Sequence, residues 1–554
     1  MRGFIGYFYR PTFLRVAPVT PSQPREPLKS KLVAEVFSAW DRPWLLPGVF
    51  LVLPLLWVIA YFFPPLNQDV AVILSVAERW MAGERLYQDM IDVNPPLIFM
   101  LTLIPVALAK VLPIDTPSAL MICVLALSVW AVWASYRLMV ALAVAEHHSL
   151  QLFLLPLLIF NLIVFPSEMF AQREHLMACG MIPYLLLAAM RCDGKKVAVT
   201  FELTIAIISA IGFALKPHFL IIVLAVEVYL LLVRGLRSTL RDLVPWVTLM
   251  TMVAYLVLAW IATPDYFSFI LPLVMTSYEA LSGISYFSIT TSKHLGPYLF
   301  VALPLTITAF GRRWPHVARL TGIVTLAAAV VGVSQDKGWP YHLLPAQMAS
   351  ILLFGWAVAR VTDRLQHGSD VVMKASRSMI GLMLLMIYGL AGALRFGLYD
   401  QMDYDTSQAG QWQRILERHA GGTPVLMLTP GIYPHFPAMN YAKLQEVSRF
   451  LTVWPLQGAY ESCKPDEPRY HSPEQMTYAE RLYNRMLIED FVKHKPQLVV
   501  IDRIPGIPWC GGREFNFLEY FLMLPEFATE WQNYEYIAMY DRYFLYKRRV
   551  ASAG

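Results

Sequence analysis

The run LLPGVFLVLPLLWVIAYFF (45–63) is apolar on every face that a helix would present. A helix in a soluble protein keeps one polar face for water, so a stretch of this kind belongs in a bilayer. Comparable runs recur at 118–136, 150–165, 176–190, 200–214, 219–233, 244–263, 296–311, 318–334, 343–360 and 378–396. The expected architecture is therefore an all-α polytopic membrane domain of about eleven crossings. Composition agrees, with 57% hydrophobic and only 15% charged residues in a chain of 554. The basic segment before the first run leads to YFFPPLNQD, which offers no small-residue cleavage site, so 45–63 reads as a retained span.

One further apolar run, 97–113, follows Asn94-Pro95-Pro96, is short, and carries Lys110. Counting it as a crossing inverts every later loop, so charge decides. With 97–113 left out, 21 Lys and Arg fall on one side and 7 on the other. The basic side is the cytoplasmic one in a bacterial inner membrane. The run 97–113 is then an interfacial or re-entrant helix, and the N-terminus is cytoplasmic. The net charge of +5 is spent on this topology, which argues against a nucleic-acid partner.

The same topology collects the unexplained polar groups on the external face. These are the loop 64–96, the turn QREHL at 172–176, KPH at 216–218, the loop 264–295 and DKGWPYH at 336–342. After residue 398 the hydropathy collapses, and 399–554 reads as a soluble α/β domain on the external, periplasmic side. TPVLMLTP (423–430) and QLVVIDRI (497–504) have the look of buried strands, and 534–549 that of a terminal hairpin. Cys463 and Cys510 lie in this part, where an oxidising compartment would permit a disulfide. The predicted layout is thus 1–44 cytoplasmic, 45–398 in the membrane, and 399–554 outside.

The loop NQDVAVILSVAERWMAGERLYQDMIDVNPPLIFML (67–101) is the richest in chemistry. Asp69 heads an amphipathic segment, where a carboxylate serves either as a helix N-cap or as a reacting group. Asp89 and Asp92 read either as solvated loop residues or as part of a site. Lys216 and Lys337 are anchors at span ends on one reading. On the other they are rare external cations, each close to Pro and His. In FPSEMFAQREHLMACG (165–180), Glu168, Arg173, Glu174 and His175 crowd a place where ionisable groups are expensive unless they pair or line a wet cavity. An Arg–Glu pair stitching two helices and a functional cluster are both open. The aromatic-rich loop 265–294 reads as an interfacial helix over a lipid entry path or as a headgroup belt.

The order of an acidic residue just after the first span, a short helix, GxxxYxD and then Pro95–Pro96 before an apolar stretch resembles the GT-C superfamily of membrane glycosyltransferases. That superfamily includes the protein O-mannosyltransferases and the lipid A aminoarabinose transferases. The resemblance covers roughly 45–360, with juxtamembrane helices in 64–96. This sequence has Gln68–Asp69 where many relatives carry an Asp–Glu pair.

The resemblance implies a polyprenyl-phosphate-sugar donor and an external acceptor: a glycan, a glycolipid or a protein. A departing lipid phosphate needs cations, and an acceptor hydroxyl needs a base. On this reading Asp69 is the base, and Arg173, Lys216, His218, Lys337, Tyr341 and His342 cradle the phosphate. Asp89, Asp92, Glu168, Glu174 and His175 are the candidates for binding sugar and acceptor, with His175 also within reach of the phosphate. A divalent metal on Asp69, Glu174 and His175 is a further arrangement that spacing leaves open. The rival class is a transporter or flippase of a lipid-linked sugar. The missing internal repeat, the one-sided ionisable groups and the large external domain favour an enzyme.

Overall fold

The computed structural model describes residues 54–143, 154–278, 284–311, 314–365, 403–460, 468–503 and 515–549. The predicted span 378–396, most of 45–63, the basic segment 1–44, Cys463 and Cys510 lie outside the described residues.

The membrane part is built on helices α1 (Gln68–Met81), α2 (Pro96–Val111), α3 (Thr116–Leu142), α4 (Arg173–Cys192), α5 (Val199–Ala214), α6 (Leu220–Arg234), α7 (Leu243–Ala262), α8 (Gly296–Ala309), α9 (His316–Ser334) and α10 (Leu344–Leu365). Six segments are long and apolar enough to cross a bilayer: Thr116–Leu142, Arg173–Cys192, Pro217–Arg234, Leu243–Ala262, His316–Ser334 and Pro340–Val361. This is a multi-pass membrane protein. The predicted spans 150–165, 200–214 and 296–311 are shorter helices, so the expected count of eleven full-length crossings does not appear among the described residues. Proline is one cause. Pro217 follows α5 directly and holds Lys216 extended at φ −142° and ψ 140°, as a residue before proline must be. The run 97–113 is the 16-residue α2, and at about 1.5 Å per residue it falls short of a ~30 Å hydrocarbon layer.

Helix α4 is the hub, packing on α3, α5, α6, α9 and α10. Its apolar window is 89% buried, against 17% for α7, whose sides are left for lipid. Small residues let α4 and α5 touch. A Cβ on Gly180 would come within 2.8 Å of the Ser209 Cα, and one on Gly212 within 3.2 Å of the Met177 Cα. The Ser209 hydroxyl donates to the Gly180 carbonyl at 2.8 Å. This close approach brings the start of α4 beside the end of α5.

In the loop 265–294 the described residues form π turns at Tyr266–Ile270 and Val274–Tyr278 and a short helix at Tyr286–Thr291.

The C-terminal part holds a four-stranded sheet in the order β1 (Val425–Leu428), β2 (Leu498–Asp502), β4 (Tyr543–Arg548), β3 (Tyr534–Tyr540). Strands β1 and β2 are parallel and fully buried, as their unbroken apolar runs require. The β3–β4 hairpin adds to β2 antiparallel. Helices α11 (Gln408–Ala420) and α12 (Tyr478–His494) flank the strands, and α12 starts on a capping box of Thr477 and Glu480. This part docks on the loop 64–96. The Leu66 amide donates to the Tyr441 hydroxyl at 2.9 Å, Asn440 Nδ2 to the Ala71 carbonyl at 2.9 Å, and the Ile91 amide to the Arg449 carbonyl at 2.7 Å.

Candidate active site

Where the two parts meet, a cavity of about 1320 Å³ opens. All five segments that the sequence reading assigned to the external face contribute to its wall, joined by three pieces of the C-terminal part at 407–408, 430–433 and 451–457.

Asp69 lines the cavity at the start of α1. The N-cap of that helix is Asn67, whose Oδ1 accepts from the amides of Asp69 at 3.0 Å and Val70 at 3.4 Å. Asp69 is thereby relieved of the capping duty that its position had left open. Its Oδ2 accepts from Gln172 Nε2 at 2.9 Å, and the same amide reaches Asn67 Oδ1 at 2.7 Å. Gln172 thus ties the first loop to the turn before α4.

That turn is strained. Ser167 at φ 46° and Ala171 at φ 70° sit in the left-handed region without being glycine, at about 1–3 kcal/mol each. Residues in such backbone cluster where function requires a shape. Between them Glu168 is exposed to the cavity, and Arg173 follows as the first residue of α4.

Arg173, Glu174 and His175 do not act together, because successive residues on a helix point about 100° apart. Arg173 faces the cavity and makes no hydrogen bond or ion pair among the described residues, and its buried Nε has no partner. Glu174 is fully buried behind the wall and pairs through Oε1 with Lys216 Nζ at 2.5 Å. His175 turns into the bundle, its Nε2 2.9 Å from the Leu162 carbonyl and its ring on Phe170. The two expected ligands Glu174 and His175 therefore do not line the cavity. Asp89 does not line it either: it forms a surface pair with Arg85, which holds its carboxyl below the usual range. Asp92 does line it, half-buried and accepting from the Asn94 amide at 2.7 Å, and burial raises its pKa. Among the described residues no three His, Cys, Asp or Glu side chains come together as a ligand set.

The cationic wall is formed by Arg173, Lys216, His218, Lys337 and His342. Lys216 Nζ also reaches Gln335 Oε1 at 3.3 Å and lies 5.3 Å from the Tyr341 ring centre. Burial first, and then the neighbouring Arg173, pull its ammonium down to about 8. Lys337 is carried on a tight turn in which Asp336 at φ 41° and Gly338 at φ 63° are left-handed. A Cβ on Gly338 would meet the Ile284 side chain at 2.9 Å, so glycine serves both the turn and the close approach. Lys337 Nζ lies 3.4 Å from the centre of the Tyr278 ring and 5.2 Å from that of Trp339. His342 is buried, with Nδ1 unpartnered.

Sequence reasoning overlooked Asn67, Gln172, Gln335 and Tyr278. The first two had a readable signal, since Asn67 precedes an amphipathic helix and Gln172 directly precedes Arg173. Nothing in the sequence marked the three C-terminal pieces.

The same fold is found among solved structures. Two solved structures carry it: ArnT from Cupriavidus metallidurans bound to undecaprenyl phosphate, and the same protein in the apo state. The first is 12% and the second 11% identical to this chain, each with a TM-score of 0.54. Both comparisons cover 92% of this chain and 98% of the other. At that identity the likeness is one of fold. No family model and no curated protein matches the sequence.

Proposed function

We propose that the protein is a membrane glycosyltransferase that moves a sugar from a polyprenyl-phosphate donor to an acceptor hydroxyl on the external face of the membrane. The observation that carries this reading is a half-buried carboxylate, Asp69, sharing one cavity with an unpartnered buried guanidinium and a buried lysine. A buried arginine whose Nε has no partner leaves a donor for an anion to take, even with the Asp69 and Asp92 carboxylates near by. A lipid phosphate is such an anion, and undecaprenyl phosphate is what the ArnT structure of the same fold contains.

In the proposed reaction the acceptor oxygen attacks the anomeric carbon while Asp69 takes the hydroxyl proton. The bond from that carbon to the phosphate oxygen breaks, and the lipid phosphate leaves with the electron pair. Arg173, Lys216, Lys337 and His342 stabilise the leaving charge, with His218 and Tyr341 at the edge of the cradle. No enzyme-bound intermediate is needed, so the anomeric configuration inverts. Gln172 keeps the carboxylate aimed, while Asp92 and Glu168 offer acceptors to sugar hydroxyls. Within the proposal the cavity opens to the periplasm of a bacterial inner membrane, and the N-terminus is cytoplasmic.

The test is a chromosomal deletion complemented with the wild type or with Asp69→Asn, followed by mass spectrometry of envelope glycans and glycolipids. One sugar mass should disappear in the deletion and stay missing with Asp69→Asn. A wild-type profile from Asp69→Asn would remove this carboxylate as the base.

A further inference from the structure

The cavity has two chemically different walls. The pieces from the membrane part carry every charge on it: Arg173, Lys216 and Lys337, with His218 and His342, face Asp69, Asp92, Glu168 and Asp336. The pieces from the C-terminal part carry no Lys, Arg, His, Asp or Glu among the described lining residues. Instead they present the rings of Tyr433 and Trp454, the amides of Gln408 and Gln457, and the Thr452 hydroxyl. Gln408, Thr452 and Gln457 make no side-chain hydrogen bond among the described residues. Tyr433 is 40% exposed despite its size.

A phosphate or a carboxylate is bound most strongly by charge-assisted hydrogen bonds from cations, and the C-terminal pieces supply none among the described lining residues. Here the cations belong to the segments of the membrane part, and within the donor reading a lipid phosphate engages them. Aromatic faces with unpaired amides and a hydroxyl match the C–H faces and hydroxyls of a sugar ring. The wall is also well fixed. Trp454 meets the Tyr278 ring edge-on at 5.7 Å, and Tyr278 in turn carries Lys337, so the neutral wall is in register with the cationic one.

We propose that the C-terminal wall of the cavity is the acceptor subsite and that it takes an uncharged saccharide, with no phosphate or carboxylate on the sugar bearing the attacking hydroxyl. The proposal rests on the donor reading above and narrows its acceptor to one chemical class. Tyr433 stacks on the acceptor sugar, and Gln457 and Thr452 bond its hydroxyls so that one of them points towards Asp69.

The experiment uses the full chain in nanodiscs. A polyprenyl monophosphate is titrated first. Saturation-transfer NMR is then run on the lipid-loaded protein with neutral di- and trisaccharides and with the matching sugar phosphates and uronic acids. Neutral saccharides should give the signal, and Tyr433→Ala and Gln457→Ala should each weaken their binding by about tenfold, the scale of one or two lost hydrogen bonds or ring contacts. Both variants should keep lipid-phosphate affinity within about twofold of wild type, since neither side chain belongs to the cationic wall. Gln457→Lys should shift preference towards the sugar phosphates. Stronger transfer to the anionic saccharides in the unsubstituted protein overturns the proposal while leaving the donor reading standing. So does a neutral-saccharide signal that ignores both alanine variants, or silence from every neutral saccharide on a lipid-loaded protein. Failure of the unsubstituted protein to bind the polyprenyl phosphate at all would instead refute the donor reading itself.

Discussion

The two ends of helix α4 carry buried ionic clusters of similar composition and opposite completeness. At its end, Arg191 is fully engaged. Its Nε donates to Asp242 at 2.8 Å and its Nη1 to Glu227 at 2.7 Å, while Tyr184 adds a 2.6 Å bond to Glu227 and Arg234 a 2.5 Å bond to Asp242. At its start, about 27 Å away by helical rise, Arg173 Nε, Glu174 Oε2, Gln172 Oε1 and His342 Nδ1 are all buried without partners. One protein thus shows what a finished structural cluster looks like beside an open one, where an anion can take the Arg173 Nε–H while the Glu174 and Gln172 oxygens call for a donor. Burial and charge are common to both; unspent hydrogen-bonding capacity separates them.

Substitutions sharpen that contrast, beginning with the largest effect. Asp69→Asn should lower transfer by about 10²–10⁴-fold, the range for losing a general base, with lipid-phosphate binding unchanged. Measurable turnover at the wild-type rate would move the proton acceptor elsewhere. Arg191→Ala should cost about 3 kcal/mol of stability, because Glu227 loses its cation and keeps only the Tyr184 hydroxyl while Asp242 retains Arg234, read as a fall in thermal midpoint in detergent. Arg173→Met should do the reverse, sparing stability and abolishing lipid-phosphate binding. Equal behaviour of the two arginine variants would erase the distinction between the ends.

Lys216 gives a pH test. Its ammonium in the empty site is held down near 8, so it is charged below that pH and neutral above it. Affinity for a polyprenyl phosphate should then fall by about tenfold per pH unit above pH 8, since each phosphate bound draws in one proton. Lys216→Arg should flatten the profile, and a flat wild-type profile would take Lys216 out of the cradle. The smallest effect belongs to Asp89, whose pair with Arg85 is exposed and screened by solvent. Asp89→Asn should leave both activity and thermal midpoint near wild type.

Much of this was legible in the sequence because the signals were local. Apolar runs, charge bias and Pro-Pro after an acidic helix start are read without knowing what touches what. The strands β1 and β2 and the terminal hairpin followed from short apolar runs bounded by turn residues. The errors were angular. In Arg173-Glu174-His175 the three residue types drew attention together, yet helical geometry sends one to the cavity, one to Lys216 and one into the core. Asp89 and Asp92 looked equivalent in one loop, and only the packing of that loop turns Asp92 inward and leaves Asp89 in water.

By itself the sequence determined that the chain lives in a membrane, where its ionisable groups would be costly, and that hydropathy falls after residue 398. Those properties depend on composition over a few turns of helix. The tertiary structure alone decided that five loop segments and three C-terminal pieces enclose one cavity, with the charged groups on the former and neutral aromatic and amide groups on the latter. Such a site depends on contacts between residues more than a hundred positions apart, and close packing at Gly180 and Gly212 positions them through the backbone, where no side-chain pattern records it.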